Sequence, residues 1–130
     1  MIDRPEPTEH QIQGAFIQWT MMCRLPGIEL GHANPNGGQR HIAVAAKLKK
    51  EGVKTGVPDW YLPIARGGFI GLAIEFKKPG ENPTKEQRER MNAMQKERWL
   101  CIMCWNWEAA ARMVEGYLSL MKMEPWNALR

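Results

Sequence analysis

The stretch from Phe69 to Lys78, FIGLAIEFKK, restricts the fold more than any other part of the chain. Read at the two-residue period of a strand, Ile70, Leu72, Ile74 and Phe76 share one face, and Gly71, Ala73, Glu75 and Lys77 share the other. The first face is a packing face. The second carries very small side chains until the charges begin, so a helix or a neighbouring strand can approach it closely. A carboxylate and an ammonium then project together from the strand's end, and something must hold them there.

The segments around this strand read as an alternation of helices and strands. A helix is expected from Thr8 to Arg24, because Thr8 and Gln11 have capping-box spacing and Ile12, Ala15, Phe16, Trp19 and Cys23 recur at helical intervals. A short strand is expected over Ile28–Ala33, followed by a turn at NPNGG (34–38). A second helix, Gln39 to Glu51, should stop at Gly52. Strands at Trp60–Ile64 and Phe69–Lys77 are joined by ARGG as a hairpin-like connection. A third helix starts at Thr84, which has Gln87 three residues on. Leu100–Trp105 reads as a buried strand, and a last helix over 107–121 carries a stripe of Ala110, Met113, Val114, Tyr117, Leu118 and Met121. The order predicts an α/β domain, a mixed sheet flanked by helices.

At 130 residues the chain has room for one domain with one core, set at about residues 8–121. No apolar run approaches the length of a membrane span, and the polar, proline-bearing N-terminus does not read as a signal peptide, so a cytoplasmic protein is expected. A net charge of +4 leans mildly toward polyanions. The odd cysteine count predicts free thiols. Cys101 and Cys104 form a CxxC, but three apart in a strand they point to opposite faces, which argues against a shared zinc ion.

Asp59 also stands at a strand end, where Pro58 fixes its own φ and drives Val57 toward extended backbone. If the two strands pair, Asp59 and Glu75 meet. Two carboxylates forced together repel, and one keeps a proton unless a cation lies between them. Mg²⁺ suits that place, because it takes one or two carboxylates and keeps its waters. Lys77 beside it could position a water or neutralise charge developing on a phosphate. The same residues also fit a plain structural turn and a frayed strand end. Two inward-facing polar residues favour the site: Gln87 shares a helical stripe with Met91 and Met94, and Glu9 shares a side with Ile12 and Phe16. Each has a local alternative, since Gln87 can close a capping box and Glu9 suits a helix N-terminus.

Pro58-Asp59 followed by Glu75-x-Lys77 resembles the motif of the PD-(D/E)xK nuclease superfamily. With TEHQIQ, NPNGGQR, AAKLKKEGVKTGVPD and KKPGENPTKEQ in this order, the chain resembles the stand-alone VRR-NUC domains of phages and prophages from Thr8 to Tyr117. The resemblance implies a restriction-endonuclease-like core and a phosphodiester hydrolase. Asp59 and Glu75 would bind Mg²⁺ or Mn²⁺ together with the backbone carbonyl of Phe76. Lys77 would be the catalytic lysine, Gln87 would support it, and Glu9 would approach the metal from the first helix. It further implies a homodimer that resolves four-way (Holliday) DNA junctions, with no membrane and no organic cofactor. Flap, nicking or exonuclease activity in the same fold, and a non-catalytic DNA-binding module, remain alternatives.

Two basic clusters fit a DNA partner, branched or duplex: Lys47, Lys49, Lys50 and Lys54, then Lys78, Lys85, Arg88 and Arg90. They would hold phosphates without reading sequence, although each also fits a solvated helix face. His10 and His41 are assigned no role; His32 and Asn34 could line a cleft. Trp105, Trp107 and Trp126 are candidates for a dimer interface.

Overall fold

A computed structural model describes residues 4–35 and 42–123. Helix α1 (Glu9–Met22) begins at Thr8, whose hydroxyl accepts from the Gln11 N–H at 3.1 Å while the Gln11 side chain accepts from the Thr8 N–H at 2.9 Å. The capping box of the sequence is therefore formed. The segment after it departs from the expected strand. Gly27, at φ +91°, starts a 3₁₀ turn over Ile28–Leu30, and only His32–Ala33 pairs as strand β1. Helix α2 (Ile42–Lys50) closes on a Schellman pair, Val53 N–H to Leu48 O at 2.9 Å and Gly52 N–H to Lys49 O at 3.1 Å. Its expected start at Gln39, most of the NPNGG turn, His41 and Trp126 lie outside the described residues.

Strands β2 (Trp60–Leu62) and β3 (Gly71–Phe76) run antiparallel, and β3 pairs in parallel with β4 (Trp99–Cys104), giving the sheet order β1-β2-β3-β4. Both central strands are shorter than expected, because the ARGG connection sits on its own ladder. Arg66 and Phe69 exchange backbone hydrogen bonds at 3.0 and 2.8 Å around Gly67 and Gly68, both at positive φ. That is the two-residue turn whose twist matches a hairpin. Helix α3 (Lys85–Lys96) starts from a second capping box at Thr84, and α4 (Trp107–Leu118) starts from Asn106, whose side chain accepts from the Ala109 N–H at 2.7 Å. The expected end of α4 at Met121 is not reached. After Ser119 the backbone turns aside, and Met121 O accepts from the Gly67 N–H at 2.9 Å, so the hairpin tip captures what would have been the last turn.

The period-two reading of β3 holds from Leu72 onward, whereas Ile70, expected on the packing face, lies just before the strand and is exposed. Leu72, Ile74 and Phe76 join Trp60, Leu62 and Cys104 in one core, covered by Ile12 and Phe16 of α1 and by Ala110, Val114 and Tyr117 of α4. Phe16 anchors it, edge-on to Trp60 at 4.9 Å and tilted against Phe76 at 5.3 Å. Met113 and Met121, expected in the α4 stripe, are exposed, and buried Ala111 takes part instead. The other face of the sheet meets α3. There Gly71 leaves room for Trp99, since a Cβ on it would fall 2.4 Å from the indole ring. Cys104 lies in the core, whereas Cys101 stands on the α3 face within the field of Tyr61. All three cysteines are free. No described helix is long and apolar enough to cross a membrane.

Candidate active site

At the C-terminal end of β3 the sequence turns charged while the backbone is still buried. Glu75 is 2% exposed and Lys77 4%. Parallel pairing carries the strand to its last residue, with Lys77 N–H donating to Cys104 O at 3.0 Å, so both side chains leave a rigid ladder. Asp59 arrives from the other side. Trp60 lies opposite Ile74, and continuing that antiparallel register by one residue sets Asp59 opposite Glu75. Its approach is fixed by the fully buried Pro58 and by Asn34. The Asn34 side chain donates to Pro58 O at 2.8 Å, and its backbone N–H donates to Asp59 O at 2.8 Å. One carboxylate oxygen of Asp59 accepts from the Phe76 N–H at 2.8 Å, which ties it to the strand bearing Glu75.

Gln87 resolves its two readings by doing both. Its Oε1 accepts from the Thr84 N–H at 2.9 Å, and its Nε2 donates to Glu75 Oε1 at 2.7 Å. The second oxygen of Glu75, Oε2, is buried with no hydrogen-bond donor. Burial first, and then the charge of Asp59, push the Glu75 carboxyl up to about 8, only partly offset by Lys77. A protonated Glu75 can share its hydrogen with Asp59; an ionised one faces it with two bare acceptors. Lys77 Nζ meets Glu9 Oε1 at 3.5 Å. Glu9, expected to approach a metal, meets the lysine here, where the N-terminus of α1 arrives, and its charge also acts on Glu75. Among the described residues no three His, Cys, Asp or Glu side chains converge into a ready metal cage.

Glu9, Asp59, Glu75, Lys77 and Gln87 all line one open cleft of about 1200 Å³, between the starts of α1 and α3 and under α2. The basic residues divide. Lys49 and Lys54 line this cleft, as does Arg90. Lys47, Lys50, Lys78, Lys85 and Arg88 are not part of its lining, and exposed Lys85 instead lies 3.8 Å from Glu89. Of the expected cleft residues near the glycine turn, His32 stacks edge-on against Tyr61 at 5.8 Å and belongs to a separate, smaller cavity, while Asn34 braces the Asp59 backbone. His10 lies on the cleft rim. Trp105 is exposed with its indole N–H donating to Glu81 O at 2.8 Å, and Trp107 packs half-buried on the core. Nothing in the sequence marks Thr55 and Glu86, which meet across the cleft wall at 3.0 Å from positions far apart in the chain.

No family model and no curated protein matches the chain. Among solved structures, a VRR_NUC domain protein matches with a TM-score of 0.79, covering 93% of this chain and 96% of its own length at 28% identity. Helix and strand order, the Asp59 and Glu75-x-Lys77 positions at the end of the central strands, and this likeness over nearly the whole chain agree: the chain has the restriction-endonuclease-like α/β fold and is similar along nearly all of its length to a VRR-NUC domain.

Proposed function

We propose that the chain is a divalent-metal-dependent DNA endonuclease selective for branched structure, acting as a homodimer that resolves four-way junctions. One observation carries the metal dependence: Glu75 Oε2 is buried, unpartnered and set against Asp59. A hard cation such as Mg²⁺ or Mn²⁺ suits that donor set of two carboxylates, and the Phe76 carbonyl would complete it. When bound, such an ion supplies Lewis-acid polarisation of a phosphate oxygen and activation of a water.

The chain's own residues do the rest. Gln87 occupies Glu75 Oε1, which fixes the carboxylate's orientation and leaves Oε2 free for the ion. Asp59 is held by the Phe76 N–H, so the two acids keep a set separation. Glu9 aims the Lys77 ammonium, which neutralises charge developing on the scissile phosphate. Lys49, Lys54 and Arg90 on the cleft walls hold flanking phosphates and position the strand. The outward Lys47, Lys50, Lys78, Lys85 and Arg88 remain secondary contacts. A two-fold dimer would bring two such clefts to opposing strands of a branch.

The test is cleavage of labelled linear duplex, single strand, flap and four-way junction with Mg²⁺, Mn²⁺ or EDTA, beside Glu75→Ala. Paired symmetrical cuts in the junction, lost with EDTA and in the variant, support the reading. Cuts mainly in flap or single strand keep the metal site and overturn the substrate. Junction binding without cleavage in any metal would make the chain a binding module.

A further inference from the structure

Asp59 and Glu75 come from different strands, yet one turn of α3 touches the supports of both. Gln87 reaches Glu75 directly. Its neighbour Glu86 reaches the loop that delivers Asp59. The Thr55 hydroxyl donates to Glu86 Oε2 at 3.0 Å. Next to it, Gly56 lies so close to α3 that a Cβ there would stand 3.1 Å from Glu86 Cβ and 3.2 Å from its carbonyl group, at a φ of +77° that side chains rarely adopt. Three residues later, after the stiff Val57-Pro58 lead-in, comes Asp59. The capping box at Thr84 locks this first turn of α3 in place.

We infer that Glu86 is a positioning residue: through Thr55 and the close seat of Gly56 it ties the Asp59 loop to the same helical turn that holds Glu75, so that α3 sets the spacing of the two carboxylates. This rests on the reading of Asp59 and Glu75 as metal ligands. Groups that orient ligands from behind raise affinity by reducing the rearrangement the ligands undergo on binding. Without the Glu86 tie, the loop keeps its path through Asn34 but gains freedom at Thr55 and Gly56. The carboxylate pair then spends less time at the separation an ion requires.

The experiment measures Mn²⁺ affinity by calorimetry on the DNA-free protein, with melting of the metal-free form alongside, for Glu86→Ala, Thr55→Val, the double variant and Glu86→Gln. Each of the first two should weaken Mn²⁺ binding about three- to tenfold, below the usual range for buried supports because this hydrogen bond is exposed. The double variant should lose no more than either single, since both remove one link. Glu86→Gln retains an acceptor for Thr55 and should bind nearly as the parent does. Metal-free melting should stay within about 3 °C throughout. Unchanged affinity in both singles, additive losses, or losses matched by a falling melting temperature would each overturn the inference. Glu75→Ala serves as the separate control. If it binds Mn²⁺ as tightly as the parent, the metal-ligand reading itself fails and takes the inference with it.

Discussion

Replacing Glu75 with glutamine should stabilise the metal-free protein at alkaline pH. The Glu75 carboxyl is raised from 4.5 to about 8, first by burial and then by Asp59. Between those values the folded chain holds a proton that the unfolded chain has released. Stability from this group is therefore fully present below the unfolded value and is lost as pH rises through 8. Each pH unit inside that window removes about 1.4 kcal/mol, with a ceiling near 5 kcal/mol across it. Side-chain relaxation and water entering the open cleft reduce this to about 2–4 kcal/mol. An amide is isosteric with the protonated acid, still accepts from Gln87 and can donate to Asp59, so Glu75→Gln removes the titration while keeping the contacts. The assay is urea unfolding in EDTA at about pH 5.5, 7 and 9. The parent should lose about 2–4 kcal/mol relative to the variant between the extremes, and saturating Mn²⁺ should restore the parent alone. Parallel pH dependence in the two proteins, or a parent most stable at pH 9, would refute the argument.

Two further outcomes follow from the same geometry. Lys49→Ala with Lys54→Ala should flatten the dependence of log affinity for duplex DNA on log salt by about 1.8, while Lys47→Ala with Lys50→Ala should change it by less than about 0.5, as read from filter binding in Ca²⁺ at several salt concentrations. Tyr117→Phe should cost about 1–2 kcal/mol in urea unfolding, because the buried hydroxyl donates to Ile64 O at 2.6 Å and its loss leaves that carbonyl short of a partner.

How much of this was legible in the sequence depends on the range of the forces involved. The starts of α1 and α3 were readable because a capping box closes within three residues, and ARGG was readable because two adjacent glycines meet the needs of a two-residue hairpin turn. The alternation of β3 gave the core face and the charged face from period alone. Ile28–Leu30 has the apolar content of a strand, but Gly27 before it, at positive φ, turns the chain into a 3₁₀ turn. The end of α4 is not legible from its own stripe, because a hairpin tip distant in sequence captures Met121 O. Nor could the lysines be sorted. Which side of α2 lines the cleft is a matter of where that helix docks, and α2 buries no residue that would mark its inner face in the sequence. Glu86 and Thr55 were invisible for the same reason: thirty-one positions separate them, and neither residue type is unusual where it stands.

The charged end of β3 makes sense only if stability is not what it serves. All six residues of the strand are buried, and taking a carboxylate and an ammonium out of water costs more than their attraction returns unless each is fully satisfied. A structural ion pair would join Glu75 to Lys77, two residues apart on one face. The protein instead sends Lys77 to Glu9 on α1 and Glu75 to Gln87 on α3, and sets a second acid, Asp59, against Glu75. Together these contacts keep two groups poised and separate: an ammonium held to one side, and a carboxylate oxygen with no donor beside a second carboxylate. A divalent cation would turn that repulsion into attraction, and this is why the strand's least stable feature should also be the one that a metal ion, and only then a phosphate, makes favourable.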